Sequence, residues 1–156
     1  TIKENNDIQF IWQTGKYYYP QVTEAVRAAG ELPNLHVTDF IKDMAAAYAA
    51  SDLVISRAGA GSISEFCLLH KPVVLVPSPN VAEDHQTKNA LALVDKQAAI
   101  YVKDSEAEAK LMDVALNTVA DDRKLKELSE NIAKLALPDS ARIIAQEVIK
   151  LAEAEN

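Results

Sequence analysis

Along the chain, short and continuously apolar runs alternate with longer stretches whose apolar positions recur every three or four residues. Ile8-Gln9-Phe10-Ile11-Trp12 reads as a strand followed by the turn Thr14-Gly15-Lys16, and a helix then covers roughly 20–29 with Gly30 as its C-terminal stop. Leu35-His36-Val37-Thr38 is a short strand. Ile41, Met44, Ala45 and Tyr48 fall at i, i+3, i+4 and i+7, the spacing of a helix with one buried face. Residues 52–56 read as a buried strand, Ile63, Phe66 and Cys67 repeat the helical spacing, and Val73-Val74-Leu75-Val76 is an all-apolar strand ended by Pro77. A loop over 78–83 leads to a helix running to about Lys96 and a strand over 98–102. Helices over about 106–119, 123–135 and 139–154 complete the chain. Pro138 separates the last two, and Asp139 or Ser140 is available to cap the final one.

Strands that are apolar throughout, alternating with helices, predict a parallel sheet covered on both faces. The expected architecture is a Rossmann-like, doubly wound α/β fold over one domain, residues 1–156. Such folds bind ligands beyond the carboxyl ends of their strands. That directs attention to the loops after Trp12, Thr38, Ser56 and Val76.

Composition narrows the partners. The 156 residues are 49% hydrophobic and 25% charged, enough for a packed core and unlike a disordered chain. A formal net charge of −7 disfavours nucleic acid and anionic lipid as general partners. The single cysteine, Cys67, excludes an internal disulfide and a multi-cysteine metal site, which suits a reducing cytoplasm. Cys67 shares the apolar stripe of Ile63 and Phe66, so it reads as core; His36 and His70 lack partners at ligand spacing and read as structural or exposed. No apolar run reaches the roughly 18 residues of a membrane span. The N-terminus is polar, unlike a signal peptide, and has no initiator Met, so the chain is expected to be a fragment.

The candidate chemistry lies in Ser56-Arg57-Ala58-Gly59-Ala60-Gly61-Ser62-Ile63-Ser64-Glu65, which leaves a strand and enters a helix. Small residues let backbone approach a ligand, and a helix start offers unpaired N–H groups that suit a phosphate or diphosphate. Arg57 is available to add a fixed positive charge. Two structural alternatives stand beside this reading. Gly59 and Gly61 could serve only a tight turn, and Ser62-x-x-Glu65 fits a capping box. Equally, a carboxylate one turn into the helix could take both hydrogen bonds from a ribose diol. The following strand carries no acid for a dinucleotide ribose, which disfavours a nicotinamide cofactor.

This stretch is very similar to the donor-site signature of the MurG family, bacterial transferases that move N-acetylglucosamine from UDP-GlcNAc onto undecaprenyl-linked muramyl-pentapeptide. The resemblance extends, in order, through Trp12-Gln13-Thr14-Gly15-Lys16, the segment from Val37 to Tyr48, Lys71-Pro72-Val73-Val74-Leu75-Val76-Pro77, Asp84-His85-Gln86-Thr87-Lys88-Asn89-Ala90 and Leu137-Pro138-Asp139-Ser140-Ala141. It implies that the Ile41 backbone meets the uracil edge. Ala60, Gly61 and Ser62 would present N–H groups to the diphosphate, with the Ser62 hydroxyl; Ile63 and Ser64 complete that turn, and Glu65 holds the ribose hydroxyls. Gln86, with Asn89 one helical turn on, would contact the GlcNAc hydroxyls. On local grounds Ile41 also reads as core, Gln86 and Asn89 as a solvated face, and Asp84 as a helix cap.

The resemblance further implies a two-domain GT-B enzyme. Its other half would bind the lipid-linked acceptor, contact the cytoplasmic face of the inner membrane and supply a catalytic histidine. A first strand with its own Gly-rich loop would precede Thr1. On this reading no catalytic residue lies in the chain, and UDP-GlcNAc binds here without a metal or other cofactor. Other readings are a different GT-B transferase, such as a diacylglycerol glycosyltransferase, or a non-catalytic nucleotide-sugar-binding module.

Overall fold

Every strand pairing in the computed structural model is parallel, as the apolar runs predict. The structure describes residues 1–79 and 84–154, which leaves most of the expected 78–83 loop outside the described residues. The chain forms two compact units, Thr1–Ser51 and the part from Asp52 onward.

In the first unit a 3-10 turn at Ile2–Glu4 precedes β1 (Phe10–Gln13), α1 (Gly15–Ala29), β2 (Leu35–Thr38) and α2 (Met44–Ala50). Strands β1 and β2 pair from Phe10↔Leu35 to Gln13↔Thr38, a β-α-β unit. Its entry is fixed by Asn34, which is only 3% exposed. The Asn34 Nδ2 group shares its two N–H donors among the carbonyls of Ile2, Asn5 and Ile8, at 3.0, 3.0 and 3.1 Å, while the Asn34 backbone carbonyl accepts from Phe10 N at 2.8 Å. Helix α1 starts at Gly15, five residues before the expected start, and carries Pro20 inside it. Its first turn displays Tyr17, Tyr18 and Tyr19 to solvent, with Tyr17 86% exposed, so no buried periodicity announced that turn. Helix α2 starts at Met44 rather than near Ile41. Asp43 accepts from Ala46 N at 2.9 Å and ends the preceding irregular segment.

The second unit contains β3 (Val54–Ser56), α3 (Ala60–Leu69), β4 (Val73–Leu75), α4 (His85–Val94), β5 (Ile100–Tyr101), α5 (Asp104–Val119), α6 (Asp122–Ala133) and α7 (Ser140–Ala154). The sheet order is β3-β4-β5. Val73, Val74 and Leu75 of the central strand are 0% exposed, the physical reason this run is wholly apolar. Phe66 of α3 and Leu128 and Ile132 of α6 are also among the largest fully buried side chains; each such burial stabilises by about 1.5–3 kcal/mol. Asp121 caps α6 by accepting from Arg123 N and Lys124 N at 3.0 and 3.1 Å. Helix α3 closes on His70 in the left-handed region (φ 55°), and its carbonyl accepts from Ser129 Oγ at 2.8 Å. His70 is exposed, one of the two alternatives expected. Cys67 is buried, also as expected.

Candidate functional site

The entry to α3 is built from the end of β3. Val76 N donates to Ser56 O at 2.9 Å, extending the β3-β4 ladder up to the point where the chain turns. Ala58 is fully buried, and Gly59 then occupies the N-cap position with φ −68° and ψ 140°. Among the described residues no side chain caps this helix. Its first intrahelical bond is Ile63 N to Gly59 O at 3.0 Å, so the N–H groups of Ala60, Gly61 and Ser62 have no acceptor within the helix. Side-chain oxygens usually fill such a position, and their absence leaves three aligned donors and the positive end of the helix dipole in one place.

This geometry corrects one expectation and decides another. Ser62 is not the N-cap: it is the third helical residue, and Glu65 is the sixth, so the two do not form a capping box. Small side chains at 58–61 let the helix begin two residues before Ser62. Nor does the turn require glycine. Gly59 has an ordinary negative φ, Gly61 is not among the positive-φ residues, and a Cβ at either would meet nothing within 4 Å. What the glycines provide is open space outside the backbone. Ser64 Oγ donates to Ala60 O at 3.0 Å, which commits its hydroxyl within the helix, and Glu65 is exposed.

Gln86 and Asn89, half-buried on α4, turn back onto this loop. Gln86 Oε1 accepts from Ala58 N at 3.2 Å and from Ser78 N at 2.9 Å, and Asn89 Nδ2 donates to Ala58 O at 3.2 Å. The structure thus brings Gln86 and Asn89 to the β3-α3 loop. Asp84 sits at the N-cap of α4 as expected but in the left-handed region (φ 54°), without a side-chain cap bond. His85 is exposed beside Gln86.

Arg57 is used within the protein. Its Nη1 group donates to Val76 O at 3.1 Å and Pro77 O at 3.3 Å, and pairs with the carboxylate of Asp104 at the start of α5. Asp104 carried no sequence signal beyond being an acid in a first helical turn. The same region holds a cleft of about 400 Å³ lined by Pro77, Asp84, Thr87, Tyr101, Lys103 and Asp104, among others, where β4 and β5 end. Neither Gln86 nor the 60–65 segment lines it, and the loop after β5 was not among those the sequence singled out.

Ile41 lies in the first unit, after β2. Its N–H donates to Gln13 Oε1 at 2.8 Å, a contact between the ends of β1 and β2 that spacing did not reveal. The Ile41 carbonyl lies outside that bond. Burial holds the Cys67 thiol above its usual pKa, so it stays protonated at neutral pH. Among the described residues no group of three His, Cys, Asp or Glu could hold a metal ion.

A parallel α/β fold that opens a helix N-terminus just past a strand end is an arrangement that can accommodate a phosphate. Comparison with known proteins makes the assignment specific. Residues 1–144 match the glycosyltransferase family 28 C-terminal domain, and the chain belongs to that family. Over all 156 residues it is 99% identical to the UDP-N-acetylglucosamine--N-acetylmuramyl-(pentapeptide) pyrophosphoryl-undecaprenol N-acetylglucosamine transferase of Bacteroides thetaiotaomicron, covering 42% of that protein. It is 53% identical over 148 residues to the transferase of the same name from Porphyromonas gingivalis, covering 95% of this chain and 39% of that one. The chain therefore spans about two fifths of the length of the curated relatives it matches. Among solved structures, Acinetobacter baumannii MurG superposes with a TM-score of 0.78 at 31% identity, over 90% of this chain and 40% of that one. The glycosyltransferase VinC shares the fold, with a TM-score of 0.73 at 19% identity over 98% of this chain and 36% of that one.

Proposed function

We propose that this chain is the UDP-GlcNAc-binding portion of an inverting N-acetylglucosaminyltransferase that glycosylates undecaprenyl-diphospho-muramoyl-pentapeptide. The relatives' names supply the donor and the acceptor. The observation that carries the reading is the start of α3, where the N–H groups of Ala60, Gly61 and Ser62 precede the first intrahelical bond and a Cβ at Gly59 or Gly61 would meet nothing within 4 Å. These donors, with the Ser62 hydroxyl, take the diphosphate; Ile63 and Ser64 hold the turn in shape. Glu65 accepts from the ribose hydroxyls, the Ile41 backbone reads the uracil, and Gln86 and Asn89 meet the sugar. Arg57 sets the potential beside the diphosphate through its neighbours rather than by direct contact. The N–H groups and dipole of the helix N-terminus take up diphosphate charge in place of a metal.

In the whole enzyme the acceptor hydroxyl is activated by a general base and displaces UDP from the anomeric carbon. That base, the acceptor site and the attachment to the cytoplasmic face of the membrane belong to the part of the relatives that this chain does not span. The deciding experiment is calorimetric titration of the chain, and of a full-length form containing it, with UDP-GlcNAc, UDP-glucose and UDP. Glu65→Ala is expected to weaken UDP binding by about 1–3 kcal/mol, the cost of leaving polar partners unpaired. Unchanged UDP affinity in that variant, or no UDP binding by the full-length form, overturns the proposal.

A further inference from the structure

The carboxamides of Gln86 and Asn89 are not free to choose which end faces a ligand. Gln86 Oε1 accepts two backbone N–H groups, from Ala58 at 3.2 Å and from Ser78 at 2.9 Å, which uses both lone pairs of that oxygen. Asn89 Nδ2 donates to the carbonyl of the same Ala58 at 3.2 Å. Ala58 is 0% exposed, so its N–H and C=O must find partners inside the protein. Rotating either amide by 180° would set N–H against N–H or oxygen against oxygen. Backbone chemistry, not rotamer preference, therefore fixes both side chains.

We infer that Gln86 and Asn89 form a bracket on Ala58 that sets the hydrogen-bond polarity of the sugar subsite, Gln86 presenting a donor and Asn89 an acceptor. The inference rests on the proposed reading that these residues face the sugar. They sit three residues apart on α4, hence on one helix face. A hydroxyl both donates and accepts, so neighbouring sugar hydroxyls can satisfy an NH2 group and a carbonyl oxygen together. A phosphate or carboxylate oxygen only accepts, and the Asn89 oxygen repels it. The bracket thus keeps charged groups at the α3 N-terminus and hydroxyls at α4. Ala58 directly precedes the N-cap Gly59, so the same two residues position the diphosphate loop.

The test compares Gln86→Glu, Gln86→Leu and Asn89→Asp in the full chain. The readouts are amide hydrogen exchange at Ala58 and Ser78 and the affinities for UDP and UDP-GlcNAc. Gln86→Glu keeps an oxygen for both backbone N–H groups and loses the NH2 group. Protection at both amides is expected to persist, while the preference for UDP-GlcNAc over UDP falls about tenfold, the loss of one good hydrogen bond. Gln86→Leu is expected to lose both the protection and the preference. Asn89→Asp sets an anion against the Ala58 carbonyl and is expected to weaken UDP itself by about tenfold. The inference is overturned if Gln86→Glu exposes Ala58 and Ser78 as Gln86→Leu does, or if it leaves the UDP-GlcNAc preference intact. If the unmodified chain shows no such preference, the sugar assignment fails, and the exchange data still decide whether the bracket exists.

Discussion

Asn34→Asp is a nearly isosteric change whose cost follows from the atoms around one amide. The Nδ2 group of Asn34 lies 3.0–3.1 Å from three carbonyl oxygens, those of Ile2, Asn5 and Ile8. An acid placed there has one proton to give when neutral and none when ionised. The amide has two N–H donors to share among the three carbonyls, so the neutral acid gives up at least one hydrogen bond, about 0.5–1.5 kcal/mol. Ionising it among three carbonyl dipoles in a site 3% exposed costs more, so the folded state keeps the proton and its carboxyl pKa rises. Holding a proton at pH 7 against an unfolded pKa of about 4 costs at most about 4 kcal/mol. The variant is therefore expected to be about 2–5 kcal/mol less stable than the parent at pH 7. The sign follows from proton binding. Above the unfolded pKa the folded variant holds more protons than the unfolded chain, so its stability falls with rising pH, by about 1.4 kcal/mol per unit, until the folded pKa is passed. Trp12, the sole tryptophan, lies on β1 within the same unit, so its fluorescence in urea titrations reports the transition directly. A parent-to-variant difference that stays constant from pH 4 to pH 7 would refute the reasoning, because it would mean the three carbonyls do not surround the new carboxyl.

Gln13, Arg57 and Cys67 give three further expectations. Gln13→Leu removes the acceptor held by Ile41 N–H at 2.8 Å; UDP affinity should fall by about three- to tenfold with little change in melting temperature, and a rise would mean that Gln13 competes with the uracil for that N–H. Arg57→Met breaks a partly exposed ion pair and two carbonyl contacts. A stability loss of about 1–2 kcal/mol is expected, discounted for solvent screening, with a smaller effect on UDP than Glu65→Ala; a larger effect on UDP would restore direct contact between Arg57 and the diphosphate. Cys67 is buried with a raised pKa, so a thiol reagent at pH 8 should label it far more slowly in the native chain than in urea, and equal rates would contradict its place in the core.

The sequence was legible wherever one residue type answers to one physical demand. Val73-Val74-Leu75 had to be a doubly buried strand because only apolar side chains suit both faces of a central strand. Period alone found the long helices, including α7, whose apolar Ile144 and Leu151 are exposed here. The 60–65 segment was also marked in advance, because glycines at a strand-to-helix junction are a local signal. The resemblance to known transferases, rather than spacing, gave its residues the roles expected of them.

Local pattern could not reach contacts between residues distant in sequence. The capping box at Ser62 was a plausible local reading, and it lost because the chain turned into α3 earlier, at Gly59. The grip of Gln86 on Ala58 and Ser78, of Arg57 on Asp104, and of Gln13 on Ile41 joins residues 8 to 47 positions apart. Side-chain polarity along a sequence says that a residue can make a hydrogen bond, not with which partner. Apolar periodicity determined the elements because burial is a property of each residue's own side chain. The tertiary structure alone decided which end of the Gln86 and Asn89 carboxamides is held, because a carboxamide faces both ways until a buried backbone group fixes one end.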